Sequence, residues 1–407
     1  MAEEKSGTAG AQFDVAIVGG LGHVGLPLAI TFADKGLKVC SYDISKEHAE
    51  LVRKGAMPFI EHGAEPVLKK VLANGMLTIS TDPNELSAAK HIIIAIGTPV
   101  DEYLNPKTRQ FMEIISELKK HISNSQTIII RSTVYPNTCK QLYNMLSQNG
   151  KEQWHVAYCP ERIVQGHSMI ELLELPQLVA GFSEKAVKEA SDLFGRISPK
   201  IIHVAMGEAE LAKLFANAWR YIQFAVTNQF YMIAHSFGTD YNKVRKAMMD
   251  GYKRAEAMPT AGFAAGPCLL KDTMQLAAYS GNNFLLGHAA MMVNEGLPHF
   301  IVEDIKKRRS NDIAKTKVGI LGMAFKADID DIRDSLSFKL GKILRFNGAK
   351  VYYSDEYAKN PDFVTKEELI KESEVIIVAV PHSAYKGLVI PKGKEVVDLW
   401  GVVKQII

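Results

Sequence analysis

Cys268 is the cysteine whose surroundings best favour covalent chemistry. It follows residues 259–267, a segment of small and flexible residues, and it leads into a helical pattern. A cysteine near the N-terminus of a helix, with a lysine such as Lys271 close by, can have a lowered pKa and act as a nucleophile. The alternative is a buried and inert thiol, as most single cysteines are. The remaining cysteines lack a comparable setting and are predicted to be structural: Cys40, Cys139 and Cys159.

A glycine pattern near the N-terminus predicts a dinucleotide site. Residues 20–25 fit G-x-G-x-x-G, follow an apolar run and open a helical pattern. Gly20 permits a tight turn, Gly22 lets the backbone approach a pyrophosphate, and Gly25 lets helix and strand pack closely. The alternative is a glycine-rich turn with no ligand. We expect cofactor contacts throughout the motif, at Gly20, Leu21, Gly22, His23, Val24 and Gly25.

Asp43 selects the cofactor. It lies 18 residues after Gly25, at the end of a second strand-like run. Its carboxylate can accept hydrogen bonds from the ribose hydroxyls and would repel a 2′-phosphate, so NAD is predicted rather than NADP.

Two more short segments follow strand-like runs that end at Ile96 and Arg131. Ligands of parallel sheets gather beyond the carboxyl ends of the strands. Plain turn chemistry is the alternative for both segments. They add predicted cofactor contacts at Gly97, Thr98, Pro99, Ser132 and Thr133.

The elements that position these residues fall into three stretches. Short β-branched runs alternate with helical segments as far as about Lys200, which predicts a parallel sheet buried on both faces. Apolar residues then recur at spacings of three and four from Leu211 to Ala225, which predicts a long helix. After Lys317 the strand pattern resumes, and its second run ends before Asp355, as the opening one does before Asp43.

The predicted fold class is therefore α/β, with two Rossmann-like parallel-sheet domains flanking a helical middle domain. We expect a flexible N-terminus at 1–12 and an NAD-binding domain at 13–205. The helical middle domain, with the Cys268 loop and a dimerisation role, is expected at 206–310, and the second Rossmann-like domain at 311–407.

Composition narrows the class of protein. A net charge of +3 over 407 residues is too small to indicate a nucleic-acid partner. No run of 18 apolar residues predicts a membrane span, and residues 1–12 do not read as a signal peptide. Widely spaced cysteines argue against a zinc site or a dense disulfide framework. The sequence predicts a cytoplasmic protein with reduced thiols and no metal.

Several motifs occur together in the order found in one family. The chain resembles the UDP-glucose/GDP-mannose dehydrogenase family over nearly its whole length. Besides the glycine motif and the Cys268 loop, the matching segments are 97–99, 132–134, 159–162, 210–217, 322–326 and 330–335.

The resemblance implies a four-electron oxidation of a nucleotide-sugar C6 hydroxymethyl group with two NAD. Cys268 would form a thiohemiacetal and then a thioester, which water hydrolyses. Lys213 and Asn217 match a family pair, and their spacing of four places them on one helical face, where they could steady an oxyanion at C6. Without the match, Lys213 would read as a solvated helix lysine. Asp272 would assist water and proton handling, although a first-turn helix acid is its plainer interpretation.

The resemblance carries further roles onto this chain. Thr133 and Glu161 match residues near the nicotinamide and the reacting water. Arg254 resembles an arginine that reaches the sugar nucleotide, often from the partner subunit of a homodimer or higher homo-oligomer. Lys326 and Arg333 match positions that hold nucleotide or interface. Matching segments extend the expected substrate contacts to Arg162, Ile163, Gly262 and Phe263.

Departures from the family pattern bear on the substrate. Residues 161–166 lack the second carboxylate of the UDP-glucose branch and have Gln165 instead, and an opening of Pro-Glu-Arg resembles enzymes of 2-acetamido sugars. Trp400 lies near a position where many relatives have an arginine for the nucleotide. A UDP-sugar is favoured over GDP- or dTDP-sugars, and UDP-N-acetylmannosamine over UDP-glucose or UDP-N-acetylglucosamine.

Two rival classes remain open. A Rossmann hydroxy-acid or 3-hydroxyacyl dehydrogenase would share the pattern of sheet then helices but need no cysteine. A non-catalytic NAD-binding regulatory module would bind cofactor without producing NADH.

Overall fold

The computed structural model describes residues 11–98, 100–101 and 105–405, and the chain divides into two compact units, Met1–Lys213 and Leu214–Ile407. The strands of the first unit are β1 (Phe13–Val18), β2 (Val39–Tyr42), β3 (Leu77–Ser80), β4 (Ala89–Ile94), β5 (Thr127–Ile130), β6 (His155–Tyr158), β7 (Gln177–Gly181) and β8 (Ile201–His203). The helices that begin among them are α1 (Gly25–Asp34), α2 (Lys46–Arg53), α3 (Ala64–Ala73), α4 (Thr108–Leu118), α5 (Thr138–Leu146), α6 (Ser168–Glu174), α7 (Glu184–Phe194) and α8 (Met206–Ser236).

The later helices are α9 (Tyr241–Met249), α10 (Leu269–Tyr279), α11 (Leu285–Arg308), α12 (Leu336–Phe346) and α13 (Lys366–Glu372). The later strands are β9 (Lys317–Leu321), β10 (Lys350–Ser354), β11 (Val375–Val378), β12 (Val389–Ile390), β13 (Glu395–Asp398) and β14 (Lys404–Gln405). Short 3-10 helices cover Pro83–Ala88, Lys119–His121 and Ser383–Tyr385.

The described strands of the first unit form one sheet in the order β3-β2-β1-β4-β5-β6-β7-β8. Strand β1 lies between β2 and β4 and is parallel to both, so the direction of strand succession reverses beside it. Ligands bind at such a reversal, outside the carboxyl ends of the strands. The pairing of β6 with β7 is antiparallel, a local departure from the expected parallel sheet.

Both faces of this sheet are covered. Val15 and Ile17 pack into one apolar cluster, whereas Ala16 and Val18, which alternate with them along β1, pack into another. Successive side chains of a strand point to opposite faces, so a strand buried on both faces has a continuous apolar sequence. This is why a run of apolar residues correctly predicted a parallel sheet.

The second unit has a four-stranded parallel sheet in the order β10-β9-β11-β13. Its apolar core includes residues of α11 and α12 as well as the strands. Helix α8 is the long helix predicted from the spacing of Leu211 to Ala225, and it extends that prediction at both ends. The predicted α/β class, with two Rossmann-like sheets and a helical region between them in sequence, is confirmed.

The boundaries expected at 205 and 310 stay predictions, and most of the predicted flexible N-terminus lies outside the described residues. Within the described part of the chain, no helix is both long and apolar enough to cross a membrane.

Candidate functional site

The glycine loop after β1 has the geometry of a phosphate-binding turn. Gly19, just before the motif, has a φ of +76°, so it is the left-handed residue of the turn that we assigned to Gly20. A Cβ on Gly20 would lie 2.3 Å from the Ser41 hydroxyl oxygen, and one on Gly25 would lie 2.2 Å from the Gly19 carbonyl oxygen. These glycines are therefore required by close packing.

The middle glycine differs from its neighbours. A Cβ on Gly22 would lie 3.6 Å from the Gly19 carbonyl oxygen, which is ordinary contact, and no other described residue beyond its chain neighbours comes within 4 Å of it. The N-cap residue of α1, Val24, offers no side-chain acceptor to the first turn. A helix N-terminus without a side-chain cap and an open approach suit a pyrophosphate, so this loop fits NAD.

Asp43 lies beside the loop. Its carboxylate accepts hydrogen bonds from the backbone N–H of Leu21 at 3.2 Å and of Ser45 at 3.0 Å. These contacts fix the carboxylate next to the turn, where a ribose would follow the pyrophosphate. The Leu21 side chain is buried in the core, so this residue can offer a cofactor only its backbone. The His23 ring contacts the Phe59 ring, with centroids 4.0 Å apart.

Ser132 joins two strand ends in the same unit. Its hydroxyl donates to the carbonyl oxygens of Ile94 and Ile96, at 3.2 and 2.7 Å. Thr133 follows it and is half-buried, while Gly97 is exposed. The sheet thus brings the segments after β4 and β5 to one edge, as expected for a cofactor site. Pro99, also predicted to contact the cofactor, lies outside the described residues.

Glu161 is held in a buried ion pair that sequence reasoning missed. Its Oε2 pairs with the guanidinium of Arg131, and its Oε1 accepts from the backbone N–H of Arg162 at 2.7 Å and of Ile163 at 2.9 Å. Arg131 also donates to the Gln177 side chain at 2.6 Å. These contacts fix the turn that contains Glu161. Its predicted role beside the reacting water stays a prediction.

An arginine directly after three isoleucines was the signal available for this pair. Arg131 comes directly after β5, and its side chain is among the largest fully buried ones. Its guanidinium also contacts the Phe194 ring, at 4.8 Å from the centroid. A charge this deeply buried needs a partner, and the sequence does not say which carboxylate supplies it.

The second unit contains the predicted nucleophile. Cys268 is the N-cap residue of α10 and is exposed, whereas the other three cysteines of the chain are buried. The α10 backbone begins with a hydrogen bond from the Asp272 N–H to the Cys268 carbonyl oxygen, at 2.8 Å. The predicted setting of Cys268 at a helix N-terminus is therefore confirmed.

Asp272 links this helix to α8. Its Oδ2 accepts from Asn217 Nδ2 at 2.5 Å, and both side chains are buried. Its Oδ1 has no hydrogen-bond partner among the described residues and lies 3.6 Å from the Lys271 ammonium nitrogen. Lys213 is one turn before Asn217 on α8 and is also buried, so it is not a solvated helix lysine. The unused oxygen can serve as an acceptor for water.

The backbone of the loop before Cys268 is fixed by side chains. Asn228 accepts from the Gly262 N–H at 2.8 Å and donates to the Gly262 carbonyl oxygen at 3.0 Å. A Cβ on Gly262 would lie 2.1 Å from the Trp400 ring. The Phe263 ring belongs to the apolar core of the second unit, which leaves its backbone for any substrate contact.

Three predicted cations lie on or near the surface of the second unit. Arg254 is exposed and contacts the Tyr252 hydroxyl at 3.2 Å. Lys326 is half-buried, and Arg333 is hydrogen-bonded to the Asp331 carboxylate. Their contacts with a nucleotide sugar stay predictions. In the described part of the chain, no group of three or more histidine, cysteine or acidic side chains could hold a metal ion.

The second Rossmann-like sheet lacks the acceptor of the first. Asp355 corresponds to Asp43 at the end of its strand, but it accepts hydrogen bonds from four backbone N–H groups and from His382 Nε2 at 3.0 Å. Burial raises the pKa of Asp355, but the hydrogen bonds, above all that from His382, lower it to about 2. Its carboxylate is therefore fully committed within the protein.

Comparison with known proteins identifies the domains of one family in this chain. Three domain models of the UDP-glucose/GDP-mannose dehydrogenase family match in order: the NAD-binding domain at 13–197, the central domain at 207–295 and the UDP-binding domain at 319–405. A UDP-N-acetyl-D-mannosamine dehydrogenase of Methanococcus aeolicus is 28% identical over 376 residues, which cover 90% of this chain and 84% of that protein.

Two solved structures are similar over almost the whole chain. A UDP-D-ManNAc dehydrogenase from Pyrococcus horikoshii is 25% identical, with a TM-score of 0.86, covering 95% of this chain and 98% of that one. A UDP-glucose dehydrogenase from Pyrobaculum islandicum is also 25% identical, with a TM-score of 0.87 and 98% of each chain covered. The chain belongs to the UDP-glucose/GDP-mannose dehydrogenase family of NAD-dependent nucleotide-sugar dehydrogenases.

Proposed function

We propose that this enzyme oxidises the C6 hydroxymethyl group of UDP-N-acetylmannosamine to a carboxylate, with two NAD consumed per sugar. The observation that carries the chemistry is the constellation around α10: an exposed cysteine at its N-terminus and a buried Asp272–Asn217 pair. The Pro-Glu-Arg turn and a relative named for that substrate support the sugar. UDP-glucose and UDP-N-acetylglucosamine are the alternatives, the first because of the similar Pyrobaculum islandicum protein.

The residues divide the reaction into steps. NAD, which the glycine loop and Asp43 would hold, would supply the hydride acceptor for both oxidations at C6. The Cys268 thiolate adds to the aldehyde carbon, and the C–S bond holds the intermediate until the second oxidation gives a thioester. Water then attacks the thioester carbon, the C–S bond breaks, and the carboxylate product leaves with the thiolate restored.

Asn217 and Lys213 stabilise the oxygen on C6. The hydrogen bond to Asp272 fixes the Asn217 amide with one of its N–H groups, which leaves the other for the substrate. Lys213 adds a positive charge one helical turn away. Preorganised donors of this kind lower the cost of the developing oxyanion. Asp272 Oδ1 accepts a hydrogen bond from the attacking water, because no other group satisfies it among the described residues.

A substrate panel tests this proposal. NADH formation is followed with UDP-N-acetylmannosamine, UDP-N-acetylglucosamine, UDP-glucose and GDP-mannose. We expect two NADH per sugar with UDP-N-acetylmannosamine and little turnover with the others. Turnover of UDP-glucose alone would contradict the sugar but not the chemistry. NAD binding with no turnover of any sugar nucleotide would support a regulatory module instead.

The enzyme is further proposed to be a homodimer or a higher homo-oligomer. One face of α8, continued by the residue just after the helix, carries a stripe of exposed apolar side chains: Phe215, Trp219, Val226, Phe230, Ile233 and Phe237. Trp219 is 62% and Phe237 87% exposed. A stripe of this length on one helix face is typical of a surface that another chain covers. The exposed Arg254 is then available to a partner's substrate.

Light scattering of the native chain tests the oligomer. Trp219→Asp is expected to dissociate it, whereas Phe346→Asp, a substitution at an exposed residue on α12, is not. A monomeric native chain would refute the proposal.

We also place the enzyme in the cytoplasm, where nucleotide sugars and NAD are available and thiols stay reduced, and assign its product to polysaccharide synthesis.

A further inference from the structure

The loop that leads to Cys268 packs against two aromatic rings through its glycines. Gly262 and Gly266 are both buried, and their φ angles of +154° and +96° lie in the region that favours glycine. A Cβ on Gly262 would overlap the Trp400 ring, and one on Gly266 would lie 2.5 Å from the Phe325 ring. Neither position has room for a side chain, so each ring lies directly on a glycine backbone.

Both rings lie at the same edge of the second sheet. Trp400 follows β13 and Phe325 follows β9, while the Trp400 indole N–H donates to the carbonyl oxygen of Ala379, just after β11, at 3.1 Å. Strands β9, β11 and β13 are parallel, so all three positions are at carboxyl ends. Ligands of parallel sheets bind beyond that edge. The Cys268 loop is therefore attached to the edge where the UDP-binding domain is expected to hold a nucleotide.

Hydrogen bonds fix the same two glycines. Asn228 accepts from the Gly262 N–H at 2.8 Å and donates to the Gly262 carbonyl oxygen at 3.0 Å. The Gly266 N–H donates to the Asp334 carbonyl oxygen at 3.3 Å. Because the Gly262 N–H is used within the protein, this residue is better suited to anchor the loop than to make the substrate contact that the resemblance implies.

These anchors lie close to the nucleophile. Gly266 is two residues before Cys268, which is exposed at the start of α10. A displacement of about 1 Å can slow a reaction step about a hundredfold. Removal of either ring would take the packing partner from a glycine backbone and allow the loop to move. The two rings thus control how accurately the thiol is placed.

We propose that Trp400 and Phe325 are positioning residues that hold the Cys268 thiolate where it captures the aldehyde. The inference rests on the proposed dehydrogenase function and deepens it, because it gives the edge of the second sheet a part in placing the nucleophile. The alternative is that the rings only contact the nucleotide. The two roles affect different steps, since nucleotide contact changes KM, whereas thiolate placement changes the capture of the aldehyde.

The yield of NADH per sugar tests the proposal. The first oxidation needs no thiolate, whereas the second follows thiohemiacetal formation. The sugar nucleotide that is oxidised fastest in the substrate panel is given to native enzyme, Trp400→Leu and Phe325→Leu, with semicarbazide present to trap released aldehyde. We expect two NADH per sugar from native enzyme and a fall towards one in both variants, with the trapped aldehyde detected by mass spectrometry.

Matched variants separate this effect from general damage. Phe346→Leu replaces an exposed ring on α12 and should still yield two NADH per sugar. Trp400→Phe keeps a ring against Gly262 and should restore most of the yield lost in Trp400→Leu. If Trp400→Leu does not fold, Trp400→Met, which is closer in volume, serves in its place.

Hydrogen exchange measures the anchoring without any substrate. The N–H groups of Gly262 and Gly266 are hydrogen-bonded, so peptides that cover residues 262–268 report on the loop. Their exchange should be at least about tenfold faster in each leucine variant, while peptides of β5 in the first unit exchange as in native protein. Faster exchange everywhere would indicate global destabilisation and would count against a local anchor.

A yield of two NADH per sugar in the folded leucine variants would overturn the proposal. If KM for the sugar nucleotide rose at the same time, the rings would be assigned to nucleotide binding instead. Faster exchange at residues 262–268 in a protein that oxidises no sugar nucleotide would leave the anchoring inference standing and refute the proposed function. Unchanged exchange in such a protein would overturn both.

Discussion

Replacing Asn228 by aspartate should weaken the attachment of the Cys268 loop in a pH-dependent way. Asn228 is fully buried and uses its amide three times: it accepts from the Gly262 N–H and donates to the Gly262 carbonyl oxygen and to Asn294 Oδ1. A protonated aspartic acid can still accept once and donate once, so a single hydrogen bond is lost. That loss costs about 1 kcal/mol.

Ionisation adds a larger cost. A carboxylate at position 228 would be buried against two oxygens, so its pKa in the folded state is raised above the unfolded value of about 3.9. A raised folded pKa means that stability is lost as pH rises. The free energy of unfolding of Asn228→Asp should therefore fall by about 1.4 kcal/mol per pH unit above pH ~4, until the carboxyl ionises in the folded state.

Urea unfolding at pH 5 and pH 7 tests this expectation. The matched control is Asn283→Asp, the same substitution at an exposed position, which should show no growing difference from the native chain. Equal destabilisation of Asn228→Asp at both pH values would refute the assignment of two facing oxygens to this amide.

Two further predictions concern the nucleotide-binding folds. Gly22→Ala should leave the unfolding of cofactor-free protein unchanged, because its methyl group would make only an ordinary 3.6 Å contact with the Gly19 carbonyl oxygen. It should weaken NAD binding at least about tenfold, or ~1.4 kcal/mol, because the methyl group would occupy the open side expected to hold the pyrophosphate. Gly25→Ala should lower both the stability of cofactor-free protein and the affinity for NAD, since its Cβ would lie 2.2 Å from the Gly19 carbonyl oxygen. Calorimetric NAD titration measures the affinity and thermal unfolding measures the stability. Equal effects of Gly22→Ala and Gly25→Ala on stability would contradict the geometry. The depressed pKa of Asp355, about 2, implies stability that is present above pH ~4 and lost as pH falls towards 2. Urea titrations across this range should show that the native chain loses about 2.5 kcal/mol of its free energy of unfolding and that Asp355→Asn does not. An equal loss of stability in Asp355→Asn would refute this role of Asp355.

Local patterns in the sequence were sufficient for much of the fold and the site. The strand that includes residues 15–18 was predictable because a strand segment buried on both faces must be continuously apolar. The long helix α8 was predictable because its apolar residues recur at helical spacing. Cys268 was placed at a helix start because a small-residue loop precedes an amphipathic segment.

Contacts between residues distant in sequence could not be predicted in this way. Arg131 and Glu161 meet because β5 and β6 are neighbours in the sheet, which no local spacing encodes. Asn228 lies 34 residues from its partner Gly262. Asp43 and Asp355 end similar strands, but the Asp355 carboxylate is bound by His382 within the protein. The strand pattern could not show this difference, because His382 lies 27 residues further along the chain.

The most direct test of the central claim is to trap the covalent intermediate. The native enzyme is quenched in acid during turnover of UDP-N-acetylmannosamine with NAD, and the Cys268 peptide is analysed by mass spectrometry before and after hydroxylamine. We expect a sugar-nucleotide adduct on Cys268 that hydroxylamine removes, as is typical of a thioester. We also expect that Cys268→Ala gives no adduct and no longer produces two NADH per sugar. Full turnover by Cys268→Ala, with two NADH per sugar, would contradict it.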